Sequence, residues 1–198
     1  MNKLLFLGDS ITDSDHLFDP ANLGSGYVAM LAGKLSDCMV KNRGHNGFTI
    51  EQIHRFLLRE GIEDYWDCIT LLAGVNDVPV EVYTQRKRIP DEFYSYFKDV
   101  LAFLTQKTKA RLFIIEPFLF NKPEEYKLWQ RYIAIESEII QELTLHFHGI
   151  FIPTRKAFNR SVEKWGIDSI TTDGIHLTPL GNEILAGLWY CAYSKSSS

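Results

Sequence analysis

A serine, a histidine and an aspartate in this chain have the types and spacing that nucleophilic catalysis requires. Ser10 follows a short apolar run, within a segment (residues 8–12) where a strand-to-loop turn can present its hydroxyl group. Serine is a weak nucleophile unless a nearby base takes its proton. His176 can be that base, and Asp173, three residues earlier, can hold the imidazole in the correct tautomer. These residues predict a relay in which the Ser10 hydroxyl attacks a carbonyl carbon.

Two further segments can supply hydrogen-bond donors to the oxyanion that such an attack creates. Gly47 ends the segment 42–47, where glycine permits a close approach of the backbone. Asn76 lies in the segment 74–77, and its side-chain amide can donate. With the backbone N–H of Ser10 they make three donors, each contributing roughly 3–4 kcal/mol in the transition state.

Each of these motifs also has a purely structural interpretation. The serine could cap a Gly-Asp turn, Asn76 could form an Asx-turn at a strand end, and His176 could be an ordinary surface residue. The motifs occur together, however, and each lies at the end of a predicted strand or turn. Their joint occurrence favours the catalytic interpretation.

The elements that must position these residues follow from the apolar pattern. Five short apolar runs alternate with segments of helical spacing, which is typical of a parallel sheet covered by helices on both faces. The predicted strands are residues 4–7, 39–42, 68–72, 112–115 and 150–152. We therefore expect a single α/β domain over residues 1–198, a three-layer α/β/α sandwich with a frayed tail at 196–198. Ligands of such sheets bind beyond the carboxyl ends of the strands, where these motifs fall.

Charge and composition exclude several classes of protein. A length of 198 residues suits one domain with its own core. The chain has 21 basic and 25 acidic residues, a net charge of −4, and so has no broad cationic surface for nucleic acid. The short basic run at 86–88 is interpreted as a solvated loop.

The cysteines and the longest apolar runs indicate the cellular compartment in which we expect the protein. Cys38, Cys68 and Cys191 have no metal-binding or redox spacing, and the first two are interpreted as buried thiols. No apolar run approaches the roughly 18 residues of a membrane helix, nor the shorter core of a secretory signal. We expect a soluble, cytoplasmic protein without a membrane span.

Taken together, four motifs resemble those of the SGNH hydrolase superfamily, the GDSL-type esterases. They are residues 8–12, 42–47, 74–77 and 173–177. The resemblance implies that Ser10 is the nucleophile, His176 the base and Asp173 its orienting partner. It also implies that Gly47 and Asn76 are oxyanion donors beside Ser10, and that the sheet has the flavodoxin-like order 2-1-3-4-5.

Shorter stretches are similar to the carbohydrate acetyl esterase branch, whose members include acetylxylan esterases. They are residues 24–29, 76–78, 117–118 and 157–159. We expect a serine esterase that forms an acyl-enzyme on short-chain, chiefly acetyl, esters, because the sequence has no inserted lid and no apolar stretch that would enclose a fatty chain. The similarity to this branch implies a carbohydrate as the alcohol. The mechanism needs no cofactor and no metal. An acyl thioesterase or lysophospholipase with the same residues, or a non-catalytic glycan-binding relative, are the alternatives, and a homo-oligomer stays open.

Several other residues have two interpretations. Asp9, Glu116 and Phe118 are candidate substrate-binding residues, with a structural carboxylate and a packed core ring as alternatives for the last two. His45 stands where the family pattern favours an aliphatic residue, and is interpreted as a core residue with satisfied nitrogens rather than a polar rim group. The cluster at 13–16 contains Asp13, Asp15 and His16, for which a solvated loop is favoured over a metal site.

Overall fold

The computed structural model describes residues 1–84 and 87–196, and a five-stranded sheet lies at its centre. The strands are β1 (Lys3–Gly8), β2 (Met39–Gly44), β3 (Cys68–Leu72), β4 (Arg111–Ile115) and β5 (Ile150–Ile152). They lie in the order β2-β1-β3-β4-β5, and each neighbouring pair is parallel. The expected sheet and strand order are confirmed. All carboxyl ends of the strands therefore meet along one side, called the carboxyl edge below.

Helices cover both faces of this sheet. They are α1 (Ser10–Asp13), α2 (Tyr27–Lys34), α3 (Ile50–Glu60), α4 (Asp77–Thr84), α5 (Asp91–Lys107), α6 (Tyr126–His146), α7 (Arg155–Trp165) and α8 (Pro179–Ser196). Helix α2 packs beside α8, and α5 lies between α3 and α6. Successive side chains of a strand point to opposite faces. Residues 4–7 of β1 are all buried, so neither face is left to solvent.

The C-terminal helix packs on the middle of the sheet through one tryptophan. The ring of Trp189 lies 5.3 Å from that of Phe6 and 5.4 Å from that of Phe113, measured between centroids. Its indole N–H donates to the hydroxyl of Thr70 over 2.8 Å. Phe6, Thr70 and Phe113 are in register across β1, β3 and β4. A hydroxyl inside the core is costly without a partner, and Trp189 supplies that partner.

The end of the chain and the cysteines differ in part from expectation. Ser196 is the last residue of α8, where its carbonyl accepts from Arg111 over 2.8 Å, so fraying from 196 is wrong for that residue. Residues 197 and 198 lie outside the described residues. Cys68 is buried as expected, whereas Cys38 is only half-buried. Within the described ranges, no helix is both long and apolar enough to cross a membrane.

A buried carboxyl group joins β1 to the first helix. Asp9 is the N-cap of α1, and its side chain accepts from the N–H of Ile11 over 3.0 Å. It is completely buried, and its Oδ2 has no hydrogen-bond partner among the described residues. Burial raises the pKa of Asp9 to about 7, and the Ile11 N–H and the nearby His176 offset this only in part. The folded state therefore favours the protonated carboxyl group.

Replacing Thr70 with Val should lower the free energy of unfolding by about 1–3 kcal/mol, because the buried indole N–H of Trp189 loses its acceptor. Urea unfolding of variant and wild type measures the difference. In the double variant with Trp189→Phe the donor is removed as well, so its loss should be smaller than the sum of the two single losses. Strictly additive losses would contradict this hydrogen bond.

Replacing Asp9 with Asn should flatten the dependence of stability on pH. The pKa of Asp9 is higher in the folded state than in the unfolded state, so its contribution to stability is full below about pH 4 and is lost as pH rises towards 7. Asn cannot titrate, so between these limits the variant should gain up to about 4 kcal/mol relative to wild type. Urea unfolding across this range tests it, with the exposed Asp99→Asn as control. If the free energies of unfolding of wild type and Asp9→Asn change in parallel with pH, the raised pKa of Asp9 in the folded state is refuted.

Candidate active site

Three side chains from opposite ends of the chain form a continuous relay at the carboxyl edge. Ser10 Oγ lies 2.9 Å from His176 Nε2, and His176 Nδ1 lies 2.6 Å from Asp173 Oδ2. Ser10 is the first residue of α1, directly beyond β1, and the other two lie in the turn before α8. The structure therefore brings together all three residues of the predicted relay, although 166 positions separate the serine from the histidine.

The turn that carries the histidine is held by the same carboxylate that holds the imidazole. Asp173 Oδ1 accepts from the backbone N–H of Ile175 over 2.9 Å and of His176 over 2.8 Å, which leaves Oδ2 for the ring. Gly174 has a φ of 97°, and a Cβ there would collide with the carbonyl of Lys122. Glycine is thus required at this position, and the turn holds the imidazole in place.

The relay is charged at one end and open to solvent. Partial burial raises the pKa of Asp173, but hydrogen bonds from the His176 ring and from backbone N–H groups outweigh it, so that pKa lies below its ordinary value. An ionised carboxylate here can stabilise an imidazolium. The side chains of His176 and Asp173 are 48% and 52% exposed. A substrate can therefore reach the relay directly from the surface.

The two other predicted donors lie on adjacent loops of the same edge. The loop after β2 is bonded to the end of β1, since the His45 N–H donates to the Gly8 carbonyl over 2.9 Å. Gly47 has a φ of 76°, in the left-handed region. Asn76 Nδ2 donates to the carbonyl of Phe48 over 3.0 Å, which links the loop after β3 to the loop after β2. An amide nitrogen carries two hydrogens, so this bond leaves one that can serve a ligand.

A buried ion pair behind these loops was not predicted. Asp77 Oδ2 accepts from the N–H of Ile50 over 3.0 Å, and Arg88 Nη2 lies 3.5 Å from Asp77 and 3.1 Å from Glu51. Arg88 is only 3% exposed, so the solvated loop expected at 86–88 is wrong for this residue; Arg86 lies outside the described residues. Burial raises the pKa of Asp77 to about 7, and the Ile50 N–H and the Arg88 charge lower it in part. Glu92, four residues later, also pairs with Arg88 over 3.3 Å, but the partners that bury it, Glu51 and Asp77, lie on other elements, so the basic run did not reveal the burial of Arg88.

Glu116, a predicted substrate contact, is instead bonded within the protein. Its Oε1 accepts from the hydroxyl of Ser137 over 2.6 Å, and its Oε2 accepts from the N–H groups of Thr154 over 2.7 Å and Arg155 over 3.0 Å. These bonds tie the end of β4 to α6 and to the start of α7. The structural interpretation of this carboxylate is the one that its hydrogen bonds favour.

Asp9 and Phe118, the two other predicted substrate contacts, are also turned inward. Asp9 caps α1 and is completely buried. The ring of Phe118 is buried against those of Phe158, at 4.5 Å, and Phe120, at 5.9 Å. The apolar contacts of Phe118 and the capping bond of Asp9 give both side chains a structural role inside the protein.

His45 packs as expected, but its nitrogens are not both satisfied. The ring stacks on Phe48 at 4.6 Å and contacts Phe56 at 4.3 Å. Its Nε2 is buried with no hydrogen-bond partner within the described part of the chain, which corrects the expectation. Burial is the main cause that lowers the pKa of His45, so the neutral ring is favoured.

The acidic cluster at 13–16 is not a solvated loop, apart from the exposed Asp15. Asp13 Oδ1 lies 2.7 Å from Nδ1 of the buried His16. The other oxygen, Oδ2, accepts from the N–H of Asn46 over 2.9 Å. The cluster is therefore a hydrogen-bonded pair that reaches the loop after β2.

Known proteins are similar to this chain over nearly its whole length. The model of the GDSL-like lipase/acylhydrolase family matches residues 6–184. An acetylxylan esterase from Geobacillus stearothermophilus is 24% identical over 198 aligned residues, which cover 93% of this chain and 90% of the esterase. The isoamyl acetate-hydrolyzing esterase 1 homolog of Homo sapiens is 25% identical, with coverage of 99% and 83%.

The fold is shared as well. A solved structure of the Geobacillus stearothermophilus acetylxylan esterase superposes with a TM-score of 0.82 at 23% identity, covering 96% of this chain and 93% of that one. Solved structures of catalytic mutants of that esterase have either an aspartate or, three positions later, a histidine replaced by alanine. With the family model matching the segments that carry all four motifs, this chain belongs to the GDSL-like lipase/acylhydrolase family and is an ester-bond hydrolase.

Proposed function

We propose that this protein is a serine esterase that cleaves short-chain esters, chiefly acetyl esters, through an acyl-enzyme. The observation that carries the proposal is the continuous relay from Ser10 through His176 to Asp173. A hydroxyl, an imidazole and a carboxylate in hydrogen-bond contact form the arrangement that activates a serine for acyl transfer.

In the first half of the reaction, the oxygen of Ser10 bonds to the ester carbonyl carbon while His176 Nε2 takes the hydroxyl proton. The carbonyl oxygen becomes an oxyanion. The backbone N–H groups of Ser10 and Gly47 and the side-chain amide of Asn76 donate to it. The bond between the acyl carbon and the alcohol oxygen then breaks, and the alcohol oxygen takes the proton from the imidazolium of His176.

In the second half, water takes the place of the departed alcohol. His176 removes a proton from the water, whose oxygen bonds to the acyl carbon. Collapse of this intermediate breaks the bond to Ser10, and the proton on His176 returns to the serine oxygen. Asp173 stays ionised throughout and holds the imidazole through Nδ1.

Exposure and relatives together support the choice of substrate. Because the relay is open to solvent, it suits a small acyl group on a large alcohol better than a long chain that must be enclosed. Two relatives are named for acetyl or acetate esters, one of them on xylan. The catalytic aspartate and histidine of the acetylxylan esterase have the spacing of Asp173 and His176. We propose acetylated carbohydrate as the substrate class.

A serine-directed fluorophosphonate should label wild type at Ser10 and should fail to label Ser10→Ala, because only the relay-activated hydroxyl attacks phosphorus. Ser95, exposed on α5, offers a matched control, and Ser95→Ala should be labelled like wild type. Peptide mass spectrometry of the labelled protein locates the adduct. An unlabelled, hydrolytically silent wild type would instead point to a non-catalytic glycan-binding protein.

The rate of hydrolysis should fall as the acyl chain grows. On 4-nitrophenyl esters, we expect kcat/KM to be highest for acetate and lower for octanoate, with release of acetate from acetylated xylo-oligosaccharides. The measurement is initial rates across the series, with palmitoyl-CoA as the competing substrate. Faster turnover of the long-chain thioester would replace the acetyl esterase proposal with a thioesterase.

Replacing Asn76 with Ala should lower kcat by about 10²–10³ and leave KM nearly unchanged, because the amide donates more strongly to the oxyanion than to the ground-state carbonyl. Steady-state kinetics on 4-nitrophenyl acetate test this, with circular dichroism to confirm the fold. The exposed Asn159→Ala is the control and should behave like wild type. A loss confined to KM would make Asn76 a ground-state binding residue.

A further inference from the structure

The carboxylate of Asp13 connects the helix of the nucleophile to the loop that carries Gly47. Asp13 is the last residue of α1, three residues after Ser10. Its Oδ2 accepts from the backbone N–H of Asn46 over 2.9 Å, and Asn46 immediately precedes Gly47. One side chain therefore holds the peptide next to the proposed oxyanion donor.

The other oxygen of this carboxylate is also held in place. Asp13 Oδ1 lies 2.7 Å from His16 Nδ1 and accepts from the His16 backbone N–H over 3.3 Å. The side chains of His16 and Asp13 are 7% and 15% exposed, so water competes little for these bonds. A carboxylate fixed at both oxygens is a rigid acceptor for Asn46.

The backbones of the two segments are already in close contact. A Cβ on Gly44 would collide with the backbone of Asp13. The Asn42 amide donates to the carbonyls of Thr12 over 2.7 Å and Asp13 over 3.3 Å. These contacts fix the start of the loop, at the end of β2. They do not reach the peptides at 46 and 47, which lie in a turn closed by the bond from the Phe48 N–H to the His45 carbonyl over 3.1 Å. Within that turn, the Asn46 N–H makes one additional bond, to Asp13.

The glycine in this turn gives the additional bond a role. Gly47 has a φ of 76°, and a residue without a Cβ has no steric preference that would keep it there. The direction of its N–H must therefore come from hydrogen bonds to its neighbours. The Asn46 N–H donates such a bond to Asp13 on one side, and the Phe48 carbonyl accepts one from the Asn76 amide on the other.

We infer that Asp13 is a positioning residue, which aims the Gly47 N–H at the oxyanion by fixing the preceding peptide. The inference rests on the proposed function, because it gives Asp13 a role in the transition state of ester cleavage. It also assigns a role to the acidic cluster at 13–16, as a link within the active site.

Replacing Asp13 with Ala should lower kcat on 4-nitrophenyl acetate by about 10- to 100-fold, because a donor misplaced by about 1 Å loses much of its effect. KM should stay within about twofold, as expected for an interaction made in the transition state. Asp13→Asn should restore most of the rate. Its amide oxygen can accept from Asn46, while the other tautomer of His16 accepts from its NH₂ group, and only the longer, 3.3 Å bond from the His16 backbone N–H is lost. Asp15→Asn is the matched control, since Asp15 is exposed two positions away, and it should match wild type.

A second measurement on the same variants does not depend on turnover. Amide hydrogen exchange followed by ¹⁵N NMR should show faster exchange at Asn46, whose N–H donates to Asp13, in Asp13→Ala, and little change in Asp13→Asn or Asp15→Asn. Unchanged exchange in Asp13→Ala would overturn the inference whatever the hydrolysis rates. Faster exchange with a wild-type kcat would overturn it too. If exchange is faster in Asp13→Ala but the wild-type protein hydrolyses no ester, the hydrogen bond from Asn46 to Asp13 is supported and the proposed function is refuted instead.

Discussion

The parallel pairing of β1 with both β2 and β3 is the constraint on which the site depends. Because the three strands run in one direction, the segments that follow them begin at the same edge. Ser10, Gly47 and Asn76 each lie within a few residues of such a strand end. Only the histidine and its carboxylate come from elsewhere, in a turn whose backbone is bonded to Asp173 itself. The sheet thus supplies the proposed nucleophile and the proposed donors, and the turn before α8 supplies the proposed base.

Buried charged groups hold the loops of this edge together. Asp77 bonds the start of α3 and pairs with Arg88, and Asp13 bonds the loop after β2. Glu136 is fully buried beside Gly74, and its carboxyl oxygens lack hydrogen-bond partners within the described residues. Burial raises its pKa well above the ordinary value, and the neighbouring Asp77 adds to this. Removing ionisable groups from water opposes folding, so Asp77 and Asp13 are better explained by the geometry that their hydrogen bonds impose on the loops than by a gain in stability.

Sequence patterns were informative wherever the signal was local. Apolar runs located the five strands, and short motifs located the three residues of the relay. Local patterns failed for Arg88, whose run of basic residues looked like a solvated loop, and for Glu116, whose place at a strand end suggested a substrate contact. In both cases the deciding partners lie on other elements: Glu51 and Asp77 for the arginine, Ser137 and Thr154 for the glutamate. A side chain's burial depends on what packs over it, and sequence spacing does not report that.

By itself, the sequence determined the class of fold, the direction of the strands and the chemical types at their ends, because apolar periodicity and short motifs are local properties of a chain. The tertiary structure alone decided that Ser10 Oγ and His176 Nε2 lie within hydrogen-bond distance, that Asp9 and Phe118 face inward, and that Asp13 reaches Asn46. Such contacts join residues far apart along the chain. Their distances depend on how helices and loops pack against the sheet, which no single segment specifies.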